Sequence, residues 1–341
     1  MIVTLKQNER EMQGNNTLIK ETNRDPLKKF RTDVLNGLLS TPKRLDSKYF
    51  YDLVGTALFR ELMELPEYYL TDCELDIFKN RTHALAHFVT AGNTPFDLIE
   101  LGVGDGFKSK YLLQHLSLIK VGFRYMPIDI SGSVLGFLRD SLKLELPHLE
   151  VKGFMGEYFE MLPRACAGSD RRKVVLFLGS NIGNMERDDC LDFCRNLRGH
   201  LCPGDMALIG FDLKKNPKTI LGAYNDGQGV TARFNLNLLA RINRELSANF
   251  NLDRFEHYPM YDPLKGCCRS FLVSLGDQNV QIGERTITFE KDEIIHMEIS
   301  QKYDTQEIRD LAENTGFETV GMVTDSRGWF VDTLWKIRDR E

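Results

Sequence analysis

The sequence lacks any uninterrupted apolar run that reaches the roughly 18 residues of a membrane-spanning helix. Residues 1–25 are polar and mixed in charge, without the apolar stretch of a secretion signal. Basic residues are not in excess, since 44 Lys and Arg stand against 49 Asp and Glu and leave a net charge of −5. This balance argues against non-specific binding to nucleic acid, which needs a basic surface. We therefore expect a cytoplasmic protein that binds neither a membrane nor nucleic acid.

Cysteine is also scarce, with seven residues in a chain of 341. An odd, unpatterned set in a chain of this length predicts reduced thiols. Cys190, Cys194, His200 and Cys202 lie close together, but their spacing matches no zinc pattern. We interpret them as buried small side chains and expect no metal site.

What the sequence does contain is an alternation of strand and helix patterns, typical of βαβ units around a parallel sheet. The predicted strands of this part are 96–101, 122–130, 151–155, 173–178 and 206–213. Near the C-terminus a predicted helix, 305–315, precedes two strands, 317–324 and 328–336, that would form an antiparallel hairpin. A Rossmann-like α/β sheet closed by such a hairpin is the arrangement of class I methyltransferases.

The chain is long enough for about two globular domains, and its patterns divide it into five parts. These are a flexible arm (1–25), the N-terminal helical part of a substrate lobe (26–75), a methyltransferase core (76–213), an inserted α+β substrate-binding lobe (214–302) and the C-terminal helix and hairpin of the core (303–341). A cleft between the core and the second lobe is where a small substrate would be enclosed.

A glycine-rich loop follows the first predicted strand of the core, in Glu100-Leu101-Gly102-Val103-Gly104-Asp105-Gly106. Glycines at this place let a ligand approach the backbone closely. A dinucleotide fingerprint or a P-loop would need a glycine where Phe107 stands, and Asp105 would bring negative charge into a phosphate cradle. S-adenosylmethionine is cationic at its sulfur and carries no phosphate, so an acidic loop suits it. We favour this methyl donor; a nucleotide loop and a plain tight turn are the alternatives.

Two further positions lie where the carboxyl ends of neighbouring strands would meet. Asp129 ends the second strand of the core, and its carboxylate could accept both ribose hydroxyls of an adenosyl group. Capping of the following helix is the alternative role for Asp129. Glu157 and Tyr158 follow the third strand and could hold an adenine ring by a hydrogen bond and by stacking.

Four motifs then occur in one order along the chain: SKYFYD at 47–52, LPEYY at 65–69, GSNIGN at 179–184 and GVTARFN at 229–235. Together they resemble the histidine-specific, S-adenosylmethionine-dependent Nα-methyltransferases of ergothioneine biosynthesis. The resemblance runs from about residue 27 to the C-terminus. It implies that the chain trimethylates L-histidine to hercynine, with S-adenosylmethionine as methyl donor and no metal, and that it is a monomer.

The resemblance also implies roles for single residues. Donor-binding positions would be Gly102, Lys108, Asp129, Glu157 and Tyr158. Substrate-binding positions would be Tyr68, Asn184, Tyr224, Glu298 and Ser300. Asn184 and Tyr224 would hold the carboxylate of the amino acid, and Glu298 and Ser300 would contact the imidazole. Tyr51 would be the catalytic residue, next to the amino group.

The residue pattern agrees with an imidazole site. In a strand, His296, Glu298 and Ser300 would share one face, because they alternate with apolar residues. A carboxylate beside a hydroxyl can accept from one nitrogen of a neutral imidazole and donate to the other. A plain solvated face is the alternative on pattern alone.

Other assignments remain open at this point. Asn184 could cap the helix that begins near residue 187, and Phe59 is favoured as a core aromatic. Ser270 stands where a bulkier apolar residue is expected, so the pocket could admit a larger amino acid. The alternative functions are therefore N-methylation of tryptophan, of a prenylated tryptophan or of another aromatic amino acid, and a non-catalytic protein that binds S-adenosylmethionine.

Overall fold

The computed structural model of the chain describes residues 16–20 and 25–338. Its strands are β1 (Asn16–Lys20), β2 (Lys43–Arg44), β3 (Phe96–Leu101), β4 (Phe123–Asp129), β5 (Glu150–Met155), β6 (Arg172–Phe177), β7 (Met206–Asp212), β8 (Phe255–Asp262), β9 (Cys267–Ser274), β10 (Gln278–Ile282), β11 (Arg285–Phe289), β12 (Ile294–Gln301), β13 (Phe317–Thr324) and β14 (Phe330–Ile337).

Its α-helices are α1 (Pro26–Leu38), α2 (Leu53–Met63), α3 (Tyr69–Asn80), α4 (Thr82–Val89), α5 (Ser109–Leu118), α6 (Gly132–Glu145), α7 (Tyr158–Cys166), α8 (Arg187–Gly199), α9 (Pro217–Gly222), α10 (Val230–Leu246) and α11 (Thr305–Asn314). Short 3₁₀ helices lie at Ser47–Phe50, Asn181–Asn184 and Leu252–Arg254.

The strands of the central sheet follow the order β1-β5-β4-β3-β6-β7-β14-β13 in the part of the chain that the structure describes. Strands β1 and β3 to β7 pair in parallel, and β14 runs antiparallel between β7 and β13. This sheet with its reversed strand β14 is the class I methyltransferase arrangement, so the predicted fold class is confirmed.

Both faces of the central sheet are covered by helices, which is why its inner strands are almost continuously apolar. On β3, Leu98 packs into one core with Leu112 of α5, and Ile99 packs into a second core with Met161 of α7. All six residues of β3 are buried. The carboxyl ends of these strands are thereby fixed, and they carry the loops described below.

A smaller sheet, in the order β2-β12-β9-β8, stands beside the central one. A separate hydrophobic core joins it to α1 and α10, through residues such as Phe30, Leu238 and Met297. The ladder between β9 and β12 shifts register between His296 and Glu298, which is a β-bulge. The smaller sheet thus brings β12 to the carboxyl edge of the central sheet.

Local chemistry explains several element boundaries. Asp25 caps α1 by accepting from the amides of Leu27 and Lys28, just before a proline at the first helical position. Asp304 and Glu307 form a reciprocal capping box at the start of α11. These signals can be recognised in the sequence, and the predicted starts of both helices agree with the structure.

Other boundaries differ from the prediction. Residues 16–20, expected within a flexible arm, form β1 on the edge of the central sheet; the rest of that arm, 1–15 and 21–24, lies outside the described residues. The apolar pattern of residues 72–91 predicts one helix, but the structure has two, α3 and α4, because Arg81 leaves the helical conformation. No glycine or proline marks this break in the sequence. Helix α7 and strand β10 were not predicted at all.

Within the described ranges, we find no helix that is both long and apolar enough to cross a membrane.

Candidate functional site

The loop between β3 and α5 presents bare backbone to one side. Gly102 has a φ of +72°, and a Cβ atom there would lie 2.4 Å from the Tyr158 hydroxyl oxygen. Gly104 has a φ of +55°, and a Cβ atom there would meet nothing within 4 Å. Gly102 is therefore required by close packing, whereas the space above Gly104 is open to a ligand.

Asp129 lies next to this loop, because β3 and β4 are neighbours in the sheet. Its Oδ1 atom accepts from the Ser131 amide at 2.8 Å, and the loop amides of Val103 and Gly104 also face its carboxylate. Burial raises the pKa of Asp129, against the effect of these amides. The cap of α6 is Ser131. Asp129 is thus held at the loop instead of at the helix start.

Lys108 begins α5 and forms an ion pair with Glu74, whose side chain is completely buried. Both carboxylate oxygens of Glu74 also accept from the Gly179 amide, at 2.8 and 3.0 Å. Asp332 of β14 lies beside Glu74, and its pKa is raised well above the usual value by burial and by the Glu74 charge. Glu74 and Asp332 were missed by the sequence analysis. The one available signal was a charged residue, Asp332, in the mainly apolar strand β14.

The remaining two donor-site candidates start α7. The Tyr158 ring packs against Phe177 with ring centroids 5.9 Å apart, and its hydroxyl lies over Gly102. Glu157 forms an ion pair with Lys29 of α1 at 2.6 Å, and both side chains remain partly exposed. The structure therefore brings Tyr158 to the glycine loop and places Glu157 at its rim, against the second lobe.

A cavity lies between the central sheet and the smaller sheet. All six residues predicted for substrate or catalysis line it, namely Tyr51, Tyr68, Asn184, Tyr224, Glu298 and Ser300. The other lining residues are Phe59, Leu62, Leu70, Gly179, Ser180, Asn181, Thr231 and Phe234. Gly179 connects the cavity to the loop between β3 and α5, which is the candidate donor loop. A Cβ atom at Gly179 would lie 3.7 Å from the Lys108 Nζ atom.

Aromatic rings form one wall of the cavity. The centroid of Phe59 lies 5.3 Å from Tyr51, 6.0 Å from Tyr68 and 5.7 Å from Phe234. Phe59 also packs against two hydrophobic cores. Phe59 therefore packs against the core, as favoured from the sequence, and it also lines the cavity. Tyr69, the neighbour of Tyr68, points elsewhere and donates to Asp212.

Glu298 and Ser300 lie on one face of β12, opposite Ser270 and Cys268 of β9. His296 does not share this face, because the bulge places it opposite Phe271, where it contacts Arg269. The expectation that all three polar residues of β12 share a face was therefore wrong for His296. Burial raises the pKa of Glu298 to about 7, and Lys302 opposes this rise.

Lys302 is a completely buried lysine behind the cavity, and the sequence analysis missed it. Its Nζ atom lies 2.7 Å from the Ser300 hydroxyl, 2.8 Å from the Tyr224 hydroxyl and 2.8 Å from Asp212 Oδ2. The Tyr224 hydroxyl donates in turn to Ser300 at 2.7 Å. Because alternate residues of a strand lie on the same face, the sequence could have suggested that Lys302 lies on the face of Ser300.

Asn184 ends the short 3₁₀ helix Asn181–Asn184, and the cap of α8 is Glu186. The capping role considered for Asn184 is therefore wrong. Cys190 and Cys194 are buried, as expected, but Cys202 is exposed. Across residues 16–20 and 25–338, no cluster of three His, Cys, Asp or Glu side chains is arranged to hold a metal ion.

A family model described as histidine-specific, SAM-dependent methyltransferase matches residues 30–337 of the chain. The chain belongs to this family. It is a methyltransferase, and the family's methyl donor is S-adenosylmethionine.

Three relatives illustrate the range of the family. The histidine N-alpha-methyltransferase of Mycobacterium tuberculosis is 35% identical over 302 residues, covering 88% of this chain and 92% of the relative. Ergothioneine biosynthesis protein 1 of Schizosaccharomyces pombe is 30% identical, covering 81% of this chain but 37% of that protein. The 4-dimethylallyltryptophan N-methyltransferase of Claviceps purpurea is 26% identical, covering 86% of this chain and 91% of the relative.

The residues at the donor loop of this methyltransferase fit such a donor. The open backbone at Gly104 leaves space for a ligand beside β3, and Asp129 offers a carboxylate at the edge of that space. Lys108 contributes a cation next to Gly179, on the side of the loop that faces the cavity. A ligand with a ribose at one end and an amino-acid group at the other would match this order of groups.

Proposed function

We propose that this methyltransferase acts on the α-amine of L-histidine and trimethylates it to hercynine, a step of ergothioneine biosynthesis. The observation that carries the proposal is the position of Glu298 and Ser300 on one face of β12, inside the cavity. A carboxylate and a hydroxyl match the N–H and the bare nitrogen of a neutral imidazole. The charge-assisted hydrogen bond to the Glu298 carboxylate contributes about 1.5–3 kcal/mol, or roughly tenfold to hundredfold selectivity.

In this proposal the donor binds along the glycine loop. Gly102 keeps the backbone close, Asp129 accepts from the ribose hydroxyls, and Lys108 donates to the carboxylate of the donor. Glu157 and Tyr158 contact the adenine, and Glu157 keeps its ion pair with Lys29. S-adenosylmethionine, when bound, supplies a methyl group activated by a sulfonium.

The amino-acid substrate lies in the cavity, with its imidazole at Glu298 and its α-amine toward the donor loop. Asn184 donates to the substrate carboxylate. Tyr224 was expected to hold the carboxylate, but its hydroxyl donates to Ser300, so in this proposal it supports the imidazole end of the site. Tyr68 closes the aromatic wall against Phe59.

Methyl transfer requires a neutral amine in line with the methyl–sulfur bond. Burial, with the nearby charge of Glu298, raises the pKa of Tyr51, although the residue itself is 43% exposed at the cavity mouth. The Tyr51 side chain therefore stays a neutral phenol and orients the amine instead of removing its proton. Alignment of this kind can supply about 7–11 kcal/mol of the barrier.

The test is a mass-spectrometric endpoint assay with S-adenosylmethionine and one amino acid per tube: histidine, tryptophan, tyrosine or phenylalanine. We expect a gain of three methyl groups on histidine alone. Glu298→Gln should lose this activity, while Glu186→Gln, a change of the same size on the far face of the smaller sheet, should keep it. Methylation of another amino acid in preference to histidine would contradict the proposal.

One observation favours a second candidate, a larger aromatic amino acid. Ser270 is buried directly opposite Glu298, and its hydroxyl has no hydrogen-bond partner among the described residues. A serine beside Glu298 occupies less space than the bulkier apolar residue expected at this position. If tryptophan or a prenylated tryptophan is the substrate, Ser270→Met should abolish its methylation by filling that room and should leave histidine methylation within about twofold.

A further inference from the structure

The feature that the proposed function leaves unexplained is the buried ammonium of Lys302. Its side chain has no exposure to solvent, and neither has that of its ionic partner Asp212. A buried ion pair seldom adds net stability, because desolvation of both charges offsets their attraction. A role in the neighbouring cavity is a physical reason for a lysine at this position, since two of its three partners line that cavity.

The hydrogen-bond donors and acceptors around Lys302 can be counted completely. An ammonium has three N–H donors and no acceptor, and Lys302 uses all three, on Asp212, Tyr224 and Ser300. The Ser300 oxygen accepts from Lys302 and from the Tyr224 hydroxyl, which fills both of its lone pairs. The proton of Ser300 therefore cannot be donated to either neighbour.

The only hydroxyl proton left in this group belongs to Ser300, and Ser300 lines the cavity. Tyr224 has given its proton to Ser300 and accepts from Lys302. If Tyr224 donated to a ligand instead, Ser300 would have to donate to Tyr224. The pair can thus present one donated hydrogen to the cavity, because Lys302 can only donate to both oxygens.

We propose that Lys302 is a specificity-determining positioning residue, which orients the Ser300 hydroxyl so that it donates to an unprotonated ring nitrogen of the substrate. Glu298, on the same face of β12, accepts from the other ring nitrogen. A ring that offers an N–H but no bare nitrogen leaves the Ser300 proton without an acceptor, and the site rejects it. This inference rests on the proposed function and goes beyond it in assigning the source of the selectivity.

The network also shows how Lys302 can be removed without leaving a lone buried charge. Asp212 accepts from the Tyr69 hydroxyl at 2.8 Å and forms a second ion pair with Lys215. Lys215 reaches Asp212, Tyr69 and the Leu213 carbonyl, and makes none of the bonds to Ser300 or Tyr224. Lys215→Met is therefore a matched control, since it removes one cation from the same carboxylate and leaves the hydroxyl pair intact.

The experiment compares histidine with the two pyrrolylalanines, in which the ring keeps one N–H at either position and has no acceptor nitrogen. In the wild type we expect kcat/KM for histidine to exceed that for both analogues by about tenfold to hundredfold. In Lys302→Met we expect this ratio to fall at least tenfold, through a higher KM for histidine, with the KM for S-adenosylmethionine unchanged. Lys215→Met should keep the wild-type ratio.

A Lys302→Met enzyme that loses activity on histidine and on the analogues by the same factor would overturn the inference, because that is the result of a purely structural role. The same holds if the variant keeps the wild-type ratio. If Lys302→Met does not fold, Ser300→Ala can still overturn the inference, since it removes the Ser300 proton on which the inference depends and leaves Lys302 bonded to Tyr224 and Asp212. In Ser300→Ala the ratio of kcat/KM for histidine to that for the pyrrolylalanines must then fall. A ratio equal to that of the wild type overturns the inference.

The two levels of the argument can be distinguished in the wild-type enzyme. A wild type that neither binds nor methylates histidine overturns the proposed function, and this inference with it. A wild type that trimethylates histidine while its ratio is insensitive to Lys302 and Ser300 leaves the proposed function standing and overturns only the role of Lys302.

Discussion

The Gly179 amide donates to both carboxylate oxygens of Glu74, at 2.8 and 3.0 Å, across the boundary between α3 and the loop after β6. Glu74 also holds Lys108, so one buried carboxylate fixes the backbone and the cation on the cavity side of the donor loop. Burial and the Glu74 charge both raise the pKa of Asp332 beside it, which favours the protonated form of Asp332.

This arrangement predicts a large loss of stability for one carboxyl-to-amide substitution and a small loss for another. Glu74→Gln leaves Lys108 without its partner and should lower the free energy of unfolding by about 3 kcal/mol, the low end for a broken buried pair because Lys108 is a quarter exposed. Asp332→Asn imitates the protonated form that burial and the Glu74 charge favour, and it should cost about 1 kcal/mol or less. Urea unfolding of both variants measures the difference, and equal losses would show that Asp332 carries charge.

Glu74→Gln should also weaken binding of S-adenosylhomocysteine, since Lys108 and Gly179 lose their common anchor. Isothermal titration calorimetry should show a loss of about tenfold, against less than about twofold for Asp332→Asn. An unchanged affinity in Glu74→Gln would separate this carboxylate from the donor site.

Glu100 predicts how stability depends on pH. Burial raises its pKa from 4.5 to about 7, although Tyr125, Ser109 and Lys108 oppose the rise. An acid whose pKa is higher in the folded state binds its proton more tightly there than in the unfolded state. The contribution of Glu100 to the free energy of unfolding is therefore fully present below about pH 4.5 and is lost as the pH rises to about 7. The melting temperature should therefore decrease less between pH 5 and pH 8 for Glu100→Gln than for the wild type. Equal slopes for the two proteins would contradict the raised pKa.

Glu298 predicts the pH dependence of substrate binding. Its pKa of about 7 means that it becomes a carboxylate, and so the stronger acceptor for an imidazole N–H, as pH rises through 7. The affinity for histidine in the wild type, divided by that in Glu298→Gln, should therefore increase from pH 6 to pH 8 and reach roughly tenfold to hundredfold. Taking the ratio at each pH cancels the titration of histidine itself. A ratio independent of pH would place the imidazole elsewhere.

Tyr51 predicts a change in the product distribution. Tyr51→Phe keeps the ring against Phe59 and Phe234 but removes the hydroxyl that orients the amine. We expect kcat to fall at least tenfold, the Kd for histidine to change less than threefold, and monomethyl and dimethyl products to accumulate. Tyr49→Phe is the matched control, because the Tyr49 hydroxyl bonds Asp33 outside the cavity. Full trimethylation at the wild-type rate in Tyr51→Phe would reject the role.

The sequence was most informative where one local pattern decides the structure. The apolar run of β3 followed by glycines predicted the first strand of the sheet and the glycine-rich loop after it. The resemblance added the cavity residues, and the structure brings all six of them together.

The parts that could not be predicted depend on contacts between distant segments. The bulge that separates His296 from Glu298 is invisible to a period-2 argument, because it arises from the pairing of β12 with β9. The Glu74–Lys108 ion pair and the Lys302–Asp212 ion pair each join residues that no local pattern relates. Only the fold places these charges within bonding distance.

In the proposed function, the segment from Gly179 to Asn184 belongs to both ligand sites. Its first residue is fixed by Glu74 next to Lys108, the Ser180 hydroxyl accepts from the Asp212 amide, and Asn184 lines the cavity. A displacement of this segment by either ligand changes the affinity for the other. Thermodynamic linkage requires the two changes to be equal, so the factor by which histidine tightens S-adenosylhomocysteine is also the factor by which S-adenosylhomocysteine tightens histidine.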